Sequence, residues 1–170
     1  MNSKKNLVFL GMMGSGKTSI GNLVSKKLNL KFMDIDNLIE VETGMKISNI
    51  FEERGENYFR NLEEKITLRT LKRINNVISL GGGAFINDKI RNEILTNHFS
   101  FWLNWDESIL LKRIKGSKKR PLAFKFSDQK INKLIRKRSK IYSKSQFKIN
   151  CNKLTKTEIV KKVVKIYGLN

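Results

Sequence analysis

The sequence predicts an α/β protein with a five-stranded parallel sheet and helices on both of its faces. Short apolar runs alternate with longer amphipathic segments along the 170 residues, a pattern typical of repeated strand–helix units around such a sheet. One proline is present, and no internal repeat or low-complexity linker divides the chain. We therefore expect residues 1–170 to form one domain with its own hydrophobic core.

Each predicted element rests on the spacing of its apolar residues. Strands are predicted at short apolar runs, residues 6–10, 31–35, 77–80, 99–103 and 147–151. Helices are predicted where apolar residues recur at helical spacing, residues 17–28, 38–49, 56–74, 88–95, 128–142 and 155–167, and in the stretch through Ile114 that Asp106 would cap. Residues 116–127 have almost no periodicity and are expected to form a mobile loop. The order of the strands does not follow from these patterns.

The composition argues against a membrane-spanning or disulfide-bonded protein. No apolar run approaches the roughly 18 to 20 residues needed to cross a bilayer, and the apolar stretch near the N-terminus lacks a small-residue cleavage site. The single cysteine, Cys151, allows neither an internal disulfide nor a cysteine metal site. We therefore expect a cytoplasmic protein. The single histidine, His98, lies outside every motif described below and is expected to be a loop residue before a strand.

The net charge of +20 is unevenly distributed. Residues 1–111 hold 15 lysines and arginines against 13 acids, whereas residues 112–170 hold 20 against two. A nucleic-acid surface is one explanation. The other is a lysine-, asparagine- and isoleucine-rich composition that places lysine wherever a polar residue is tolerated, and we favour it because the basic half has no aromatic-interleaved RNA motif. The charge should still attract polyanions such as ATP.

Residues 11–18, GMMGSGKT, match the phosphate-loop pattern G-x-x-x-x-G-K-[ST] in full. The segment lies between a predicted strand and a predicted helix, so its glycines can fold the backbone into a nest of N–H groups that face phosphate oxygens. Lys17 would reach the β- and γ-phosphates, and the Thr18 hydroxyl would bind Mg²⁺. The motif predicts a nucleotide-phosphate site but does not name the acceptor of the phosphate.

Further segments follow in a fixed order. Asp34-Ile35-Asp36 ends the second predicted strand, where alternation would put both carboxylates on one side at the carboxyl edge of the sheet. FRNLE at residues 59–63 opens a helix, and LGGG at residues 80–83 follows the third strand. RPL at residues 120–122 and the pair Arg138 and Tyr142 come later. With the phosphate loop, this series closely resembles the shikimate kinases, and the resemblance covers essentially the whole chain.

The resemblance implies a fold, an activity and partners. The fold is a three-layer P-loop fold of the nucleoside-monophosphate-kinase-like type, with a substrate-binding insertion at about residues 36–62 and a lid at about residues 116–127. The activity is transfer of the γ-phosphate of ATP to the 3-hydroxyl of shikimate, giving ADP and shikimate 3-phosphate in aromatic amino acid (chorismate) biosynthesis. The implied cofactor is Mg²⁺, the partners are ATP and shikimate without nucleic acid or membrane, and we expect a monomer.

The resemblance also assigns roles to individual residues. Catalytic roles fall to Lys17, Asp36 and Arg120, with Asp36 holding ring hydroxyls and accepting the proton of the attacking one. Thr18 and Asp34 would hold Mg²⁺, Asp34 through water. The predicted nucleotide contacts are Gly14, Ser15, Gly16, Lys17, Thr18, Ser19, Arg113, Arg120 and Asn152. The predicted shikimate contacts are Asp36, Arg60, Gly81, Gly82, Gly83 and Arg138.

The chemistry of the substrates supports these assignments. A carboxylate accepts the paired N–H donors of a guanidinium group, which suits Arg60 and Arg138 to shikimate, and Glu63 would hold Arg60 in place. Arg120 would stabilise charge on the transferring phosphoryl group while the lid excludes water. The glycine run would let the backbone approach the substrate. The resemblance alone implies that Arg113 would stack on adenine.

Several assignments have alternatives, and two segments depart from the family pattern. Phe51 and Phe59 would either wall the shikimate ring or serve the core, and the solvent-exposed alternative stays open for Glu63 and Arg113. Ala123 stands in the lid where relatives usually have a second leucine. Residues 151–152 are Cys-Asn rather than the common Thr-Asp, in a loop whose backbone often holds adenine.

Two other functions compete with shikimate phosphorylation. The first is a gluconate-type kinase on the same scaffold, against which the FRNLE and GGG segments argue; a panel of hydroxylated acids would separate the two. The second is a non-catalytic nucleic-acid-binding relative that uses the basic residues after position 111. Tight binding to DNA or RNA at physiological salt, without ADP release on adding shikimate, would favour it.

Overall fold

The computed structural model of the chain describes residues 5–116 and 126–169. Strands and helices alternate along these residues, as the sequence predicts. The elements are β1 (Leu7–Leu10), α1 (Lys17–Leu28), β2 (Lys31–Asp34), α2 (Ile35–Thr43), α3 (Ile47–Leu71), β3 (Asn76–Ser79), a 3₁₀ turn (Ala84–Ile86), α4 (Asp88–Asn97), β4 (Phe99–Asn104), α5 (Glu107–Lys115), α6 (Asp128–Tyr142), β5 (Phe147–Asn150) and α7 (Lys156–Gly168).

Within the described residues, five parallel strands form one sheet in the order β2-β3-β1-β4-β5. In the centre, Leu7 of β1 pairs with Val77 of β3 on one side and with Phe99 of β4 on the other. All four residues of β1 are buried, because a parallel sheet is covered by helices on both faces. This arrangement confirms the predicted fold class, and it places the carboxyl ends of all the strands, with the loops that follow them, at one edge.

The two aspartates of Asp34-Ile35-Asp36 lie on different elements, so the prediction that one strand carries both is wrong. Strand β2 ends at Asp34, and helix α2 begins at Ile35. The reason is local: Asp34 Oδ1 accepts a hydrogen bond from the Asn37 amide at 3.3 Å and so caps the helix. Asp36 therefore lies in the first helical turn and is exposed.

The helices in the predicted insertion also begin earlier than expected. The ranges 38–49 and 56–74 are wrong, since α2 ends at Thr43 and α3 runs through Ile47–Leu71. Gly44, at φ 65°, ends α2 in the left-handed region. Gly55, at φ 79° and ψ 171°, interrupts α3 where a break was predicted. The other predicted strands and helices are confirmed to within two residues at each end.

His98 is a loop residue immediately before β4, as predicted, and its side chain is buried. Its Nδ1 accepts a hydrogen bond from the Asn6 amide at 3.3 Å, joining the C-terminus of α4 to the start of β1. Burial lowers the pKa of the imidazole below its usual value, and the nearby Lys5 lowers it further, while Glu93 acts in the opposite sense. The neutral imidazole is therefore part of the core.

Two further expectations concern membranes and the lid. No helix in residues 5–116 and 126–169 is long and apolar enough to span a bilayer. Arg120, together with Pro121, Leu122 and Ala123 of the predicted lid, lies outside the described residues.

Candidate active site

The loop between β1 and α1 has the backbone of a phosphate nest. Gly14 and Gly16 have φ values of 82° and 91°, which side chains rarely tolerate. The Ser15 amide bonds to the Met12 carbonyl at 3.1 Å and tightens the turn. Helix α1 begins at Lys17, immediately after Gly16, so its positive end faces the nest.

The Lys17 side chain folds back toward the first residues of the loop. Its side chain is buried, and Nζ donates to the carbonyl oxygens of Gly11 at 3.0 Å and Met12 at 3.1 Å. An ammonium group held this way remains beside the nest.

Thr18 and Asp34 meet across the mouth of the loop. The Thr18 hydroxyl donates to Asp34 Oδ2 at 2.7 Å, while the other carboxylate oxygen caps α2. The two residues are 16 positions apart in the sequence, and strand order brings them together because β2 and β1 flank β3 in one sheet. The result is a pair of oxygen atoms at the carboxyl edge of the sheet.

The glycine run at residues 81–83 leaves room for charged side chains from other elements. A methyl group on Gly81 would lie 2.5 Å from Glu63 Oε1 and 2.7 Å from Asp36 Oδ1, and one on Gly83 would lie 2.8 Å from Cζ of Arg60. Such distances are too short for real contacts, so any larger residue would displace these groups. The glycines therefore leave the space that the surrounding charged side chains occupy.

Gly82 connects the two halves of the site. A methyl group there would lie 3.3 Å from the Met13 amide nitrogen of the phosphate loop and 3.6 Å from Arg138 Nη1. The Tyr142 hydroxyl donates to the Gly82 carbonyl, and burial raises the pKa of Tyr142 to about 12, so it stays protonated. Arg138 and Tyr142 are one helical turn apart on α6 and share the face that meets the run.

Half-buried Arg60 and buried Glu63 form an ion pair. Arg60 Nη1 donates to Glu63 Oε2 at 2.7 Å, and Glu56 adds a longer contact to Arg60 at 3.3 Å. Burial lowers the pKa of Arg60, but the two carboxylates more than offset this and raise it. For Glu63, burial outweighs the attraction of Arg60, so the pKa of its carboxyl group is raised. Glu63 is only 2% exposed, so the surface alternative for this residue is wrong.

An open cavity of about 380 Å³ lies at the carboxyl edge of the sheet, and neither Arg60 nor Arg138 lines it. Asp36 and Gly82 line it on one side and the phosphate loop on the other. Eight predicted site residues line this space, namely Gly14, Gly16, Lys17, Thr18, Ser19, Asp36, Gly82 and Arg113. Ser15, in the same loop, is instead buried.

Comparison with known proteins identifies the family. The family model for shikimate kinase matches residues 13–167. The chain belongs to the shikimate kinase family. A shikimate kinase from Thermodesulfovibrio yellowstonii is 38% identical over 164 residues, which cover 96% of this chain and 95% of that protein.

Solved structures agree with this assignment. The structure of shikimate kinase from Acinetobacter baumannii in complex with shikimate has a TM-score of 0.92 and 28% identity, covering 99% of this chain and 96% of that one. A gluconokinase from Sinorhizobium meliloti 1021 has a TM-score of 0.56 at 15% identity, a likeness that shows the shared fold alone. The chain is accordingly an ATP-dependent kinase of the shikimate kinase family.

One contact of this shikimate kinase was missed by the sequence analysis. The Trp105 indole N–H donates to the Ser15 carbonyl at 2.9 Å, and the guanidinium group of Arg113 lies 3.6 Å from the centre of the Trp105 ring. The available signal was the position of Trp105 immediately after β4, at the carboxyl edge where such sheets bind ligands.

Three further residues of the sequence analysis do not line the cavity. Asn152 does not line the cavity that Arg113 lines; its Oδ1 accepts a hydrogen bond from the Asp106 amide at 2.7 Å. The Phe51 and Phe59 rings are 4.6 Å apart, with Phe59 buried and Phe51 half-buried. A core role for Phe59 therefore has direct support.

Proposed function

We propose that this shikimate kinase holds Mg-ATP and shikimate side by side in one pocket and transfers the γ-phosphate of ATP to the 3-hydroxyl of shikimate. One observation supports this proposal most directly: Arg60 and Arg138 both reach the glycine run, and Gly82 in that run also lies against Met13 of the phosphate loop. An acid held by the two guanidinium groups would lie beside a triphosphate held by the loop.

At the nucleotide end, the nest and Lys17 would bind the phosphates. With ATP present, we expect the ammonium group to turn from the Gly11 and Met12 carbonyls toward the β- and γ-phosphate oxygens. Arg113 would contact adenine at the far end of the cavity that it lines. Asn152 would contribute through its loop backbone, since its side-chain carbonyl already accepts from Asp106.

The donor set near the loop suits Mg²⁺. Thr18 Oγ1 and Asp34 Oδ2 are oxygen ligands of the kind Mg²⁺ prefers, and Asp34 would act through water. Within residues 5–116 and 126–169, no group of three or more acidic, histidine or cysteine side chains could hold a metal by itself. This fits a metal that takes most of its ligands from phosphate and water, and when bound it would neutralise charge on the phosphates.

At the acceptor end, Asp36 would orient the 3-hydroxyl and accept its proton. The hydroxyl oxygen would form a bond to the γ-phosphorus as the bond from that phosphorus to the β–γ bridging oxygen breaks, and ADP would leave with the electron pair. Arg120, in the predicted lid, would stabilise the charge on the phosphoryl oxygens. This role of Arg120 remains a prediction.

A coupled assay of ADP release tests the proposal. With Mg-ATP, ADP should form when shikimate is added and hardly form without shikimate or Mg²⁺. Asp36→Asn, which keeps the side-chain size, should lower kcat about 100-fold, whereas Asp88→Asn on the exposed start of α4 should not. Equal rates with and without shikimate, or full activity of Asp36→Asn, would contradict the proposal.

The competing functions can be tested in parallel. Gluconate and other hydroxylated acids should give little ADP in the same assay. Exposed lysines on α6 and α7 offer a candidate polyanion surface, so filter binding of DNA and RNA at physiological salt tests the nucleic-acid alternative. We also propose that the protein is a cytoplasmic monomer. Sedimentation analysis would measure its oligomeric state.

A further inference from the structure

The segment after β4 connects three parts of the nucleotide site. Trp105 is 9% exposed, and its N–H holds the Ser15 carbonyl of the phosphate loop at 2.9 Å. The next amide, that of Asp106, is held by Asn152 from the loop after β5 at 2.7 Å. The indole is therefore anchored through its own ring and through the backbone beside it.

Arg113, which is itself exposed, contacts the ring of this indole. Its guanidinium carbon is 3.6 Å from the ring centre, a close cation–π contact. Arg113 also lines the cavity formed by the phosphate loop. A guanidinium group is planar and has two faces, so a ring that holds one face sets the plane in which the other is presented.

A free arginine side chain has many rotamers, and ordering it on a ligand costs conformational entropy. A guanidinium group already stacked on Trp105 avoids part of that cost. The planar group of ATP that extends beyond its phosphates is the adenine ring, which stacks readily on a guanidinium plane.

We propose that Trp105 is a positioning residue for the nucleotide: it holds Arg113 as a preformed platform for adenine and ties that platform to the phosphate loop. The inference rests on the proposed contact between Arg113 and adenine. It predicts that Trp105 acts on binding of the base through Arg113 and on binding of the phosphates through Ser15. Shikimate binding should not depend on it.

Two substitutions separate the ring from its N–H group. Trp105→Met removes both, whereas Trp105→Phe keeps an aromatic ring under Arg113 and loses only the donor to Ser15. The affinities of ADP and of inorganic triphosphate, which has no base, would be measured by calorimetry. Trp105→Met should lower the affinity for ADP about 5- to 20-fold more than the affinity for triphosphate. Trp105→Phe should lower both affinities to a similar, small extent.

Steady-state kinetics gives a second readout. For Trp105→Met, the KM for ATP should rise while the KM for shikimate stays within about twofold. A selective loss of ADP affinity in Trp105→Phe, or an equal loss of ADP and triphosphate in Trp105→Met, would overturn the inference. If Trp105→Met does not fold, as judged by circular dichroism, the Trp105→Phe measurement still decides.

A double-mutant cycle with Arg113→Ala tests whether Trp105 acts through Arg113. In the Arg113→Ala background, Trp105→Met should lower the affinity for ADP no more than it lowers the affinity for triphosphate. If Trp105→Met instead weakens ADP binding more than triphosphate binding by the same factor with and without Arg113, the inference is wrong although the contact of Arg113 with adenine stands. If Arg113→Ala alone leaves ADP affinity unchanged, that contact fails, and the inference with it.

Discussion

The Tyr142 hydroxyl on α6 donates a hydrogen bond to the carbonyl oxygen of Gly82 in the glycine run. It joins the helix that carries Arg138 to the segment that separates the phosphate loop from the candidate shikimate site. We therefore expect this contact, four residues further along the same helix, to help position Arg138.

Tyr142→Phe tests this contact. The ring would keep its packing against Trp102, 6.1 Å away between centroids, but the Gly82 carbonyl would lose its buried donor. We expect the free energy of unfolding to fall by about 1 to 2 kcal/mol in urea titrations and the KM for shikimate to rise several-fold. Tyr167→Phe, whose ring lies at the edge of Phe99, is the matched control. Unchanged stability and KM in Tyr142→Phe would show that the contact is not needed.

Arg138→Ala should impair shikimate binding far more than ATP binding. Losing charged hydrogen bonds worth about 1.5 to 3 kcal/mol predicts a rise of about 10- to 100-fold in the KM for shikimate. Arg138→Lys should keep only part of the shikimate affinity, since lysine lacks the planar guanidinium group. The control is Arg136→Ala on the same helix, where the side chain pairs with Glu107 at 2.7 Å. Equal rises in the two KM values would exclude a role as the carboxylate clamp.

Lys17→Ala should remove phosphate transfer while leaving the fold largely intact. The ammonium group is held beside the nest by two carbonyls of the loop, where it would meet the γ-phosphate. We expect kcat to fall by at least about 100-fold, with a circular dichroism spectrum like that of the wild type. Lys27→Ala, on the exposed face of the same helix, is the control. Full activity of Lys17→Ala would reject the assignment of the phosphate loop.

Gly81→Ala should damage the acceptor site selectively. Its methyl group would lie 2.5 Å from Glu63 Oε1 and 2.7 Å from Asp36 Oδ1, so both carboxylates would have to move. An overpacking cost of about 1 to 3 kcal/mol predicts that kcat/KM for shikimate falls at least about fivefold, while ADP affinity measured by calorimetry changes little. Gly168→Ala, where nothing lies near the added group, should behave like the wild type. A fall in ADP affinity as large as that in kcat/KM would contradict this prediction.

Burial of His98 predicts a loss of stability in mild acid. Its folded-state pKa is lowered from 6.5, so the unfolded chain takes up a proton first as the pH falls. The contribution of the neutral imidazole is complete above pH 6.5 and is lost as the pH falls from 6.5 through the lower folded-state pKa. His98→Asn keeps an acceptor for the Asn6 amide but cannot titrate.

The measurement is urea unfolding of the wild type and of His98→Asn between pH 7.5 and 5. The wild type should lose up to about 1 kcal/mol more than the variant over this range. Parallel losses in the two proteins would show that other groups cause the acid sensitivity.

The sequence predicted the alternation of elements and most of their ends because these depend on local patterns. It failed at Asp36, since the period of a strand was extended through residue 35 while the Asp34 side chain caps a helix there. His98 does lie in a loop before β4 as expected, but its burial was not predicted because its partner, Asn6, is 92 positions away. The first case is a local contact that the strand pattern overrode, whereas the second depends on residues far apart in the sequence.

The sequence by itself determined the phosphate loop, the family and the fold class, because each is carried by contiguous motifs or by their order along the chain. Only the tertiary structure decided that Arg60 and Arg138 meet at one glycine run, that Glu63 is buried, and that Trp105 supports Arg113. The physical reason is the strand order β2-β3-β1-β4-β5, which brings loops distant in sequence to one edge of the sheet.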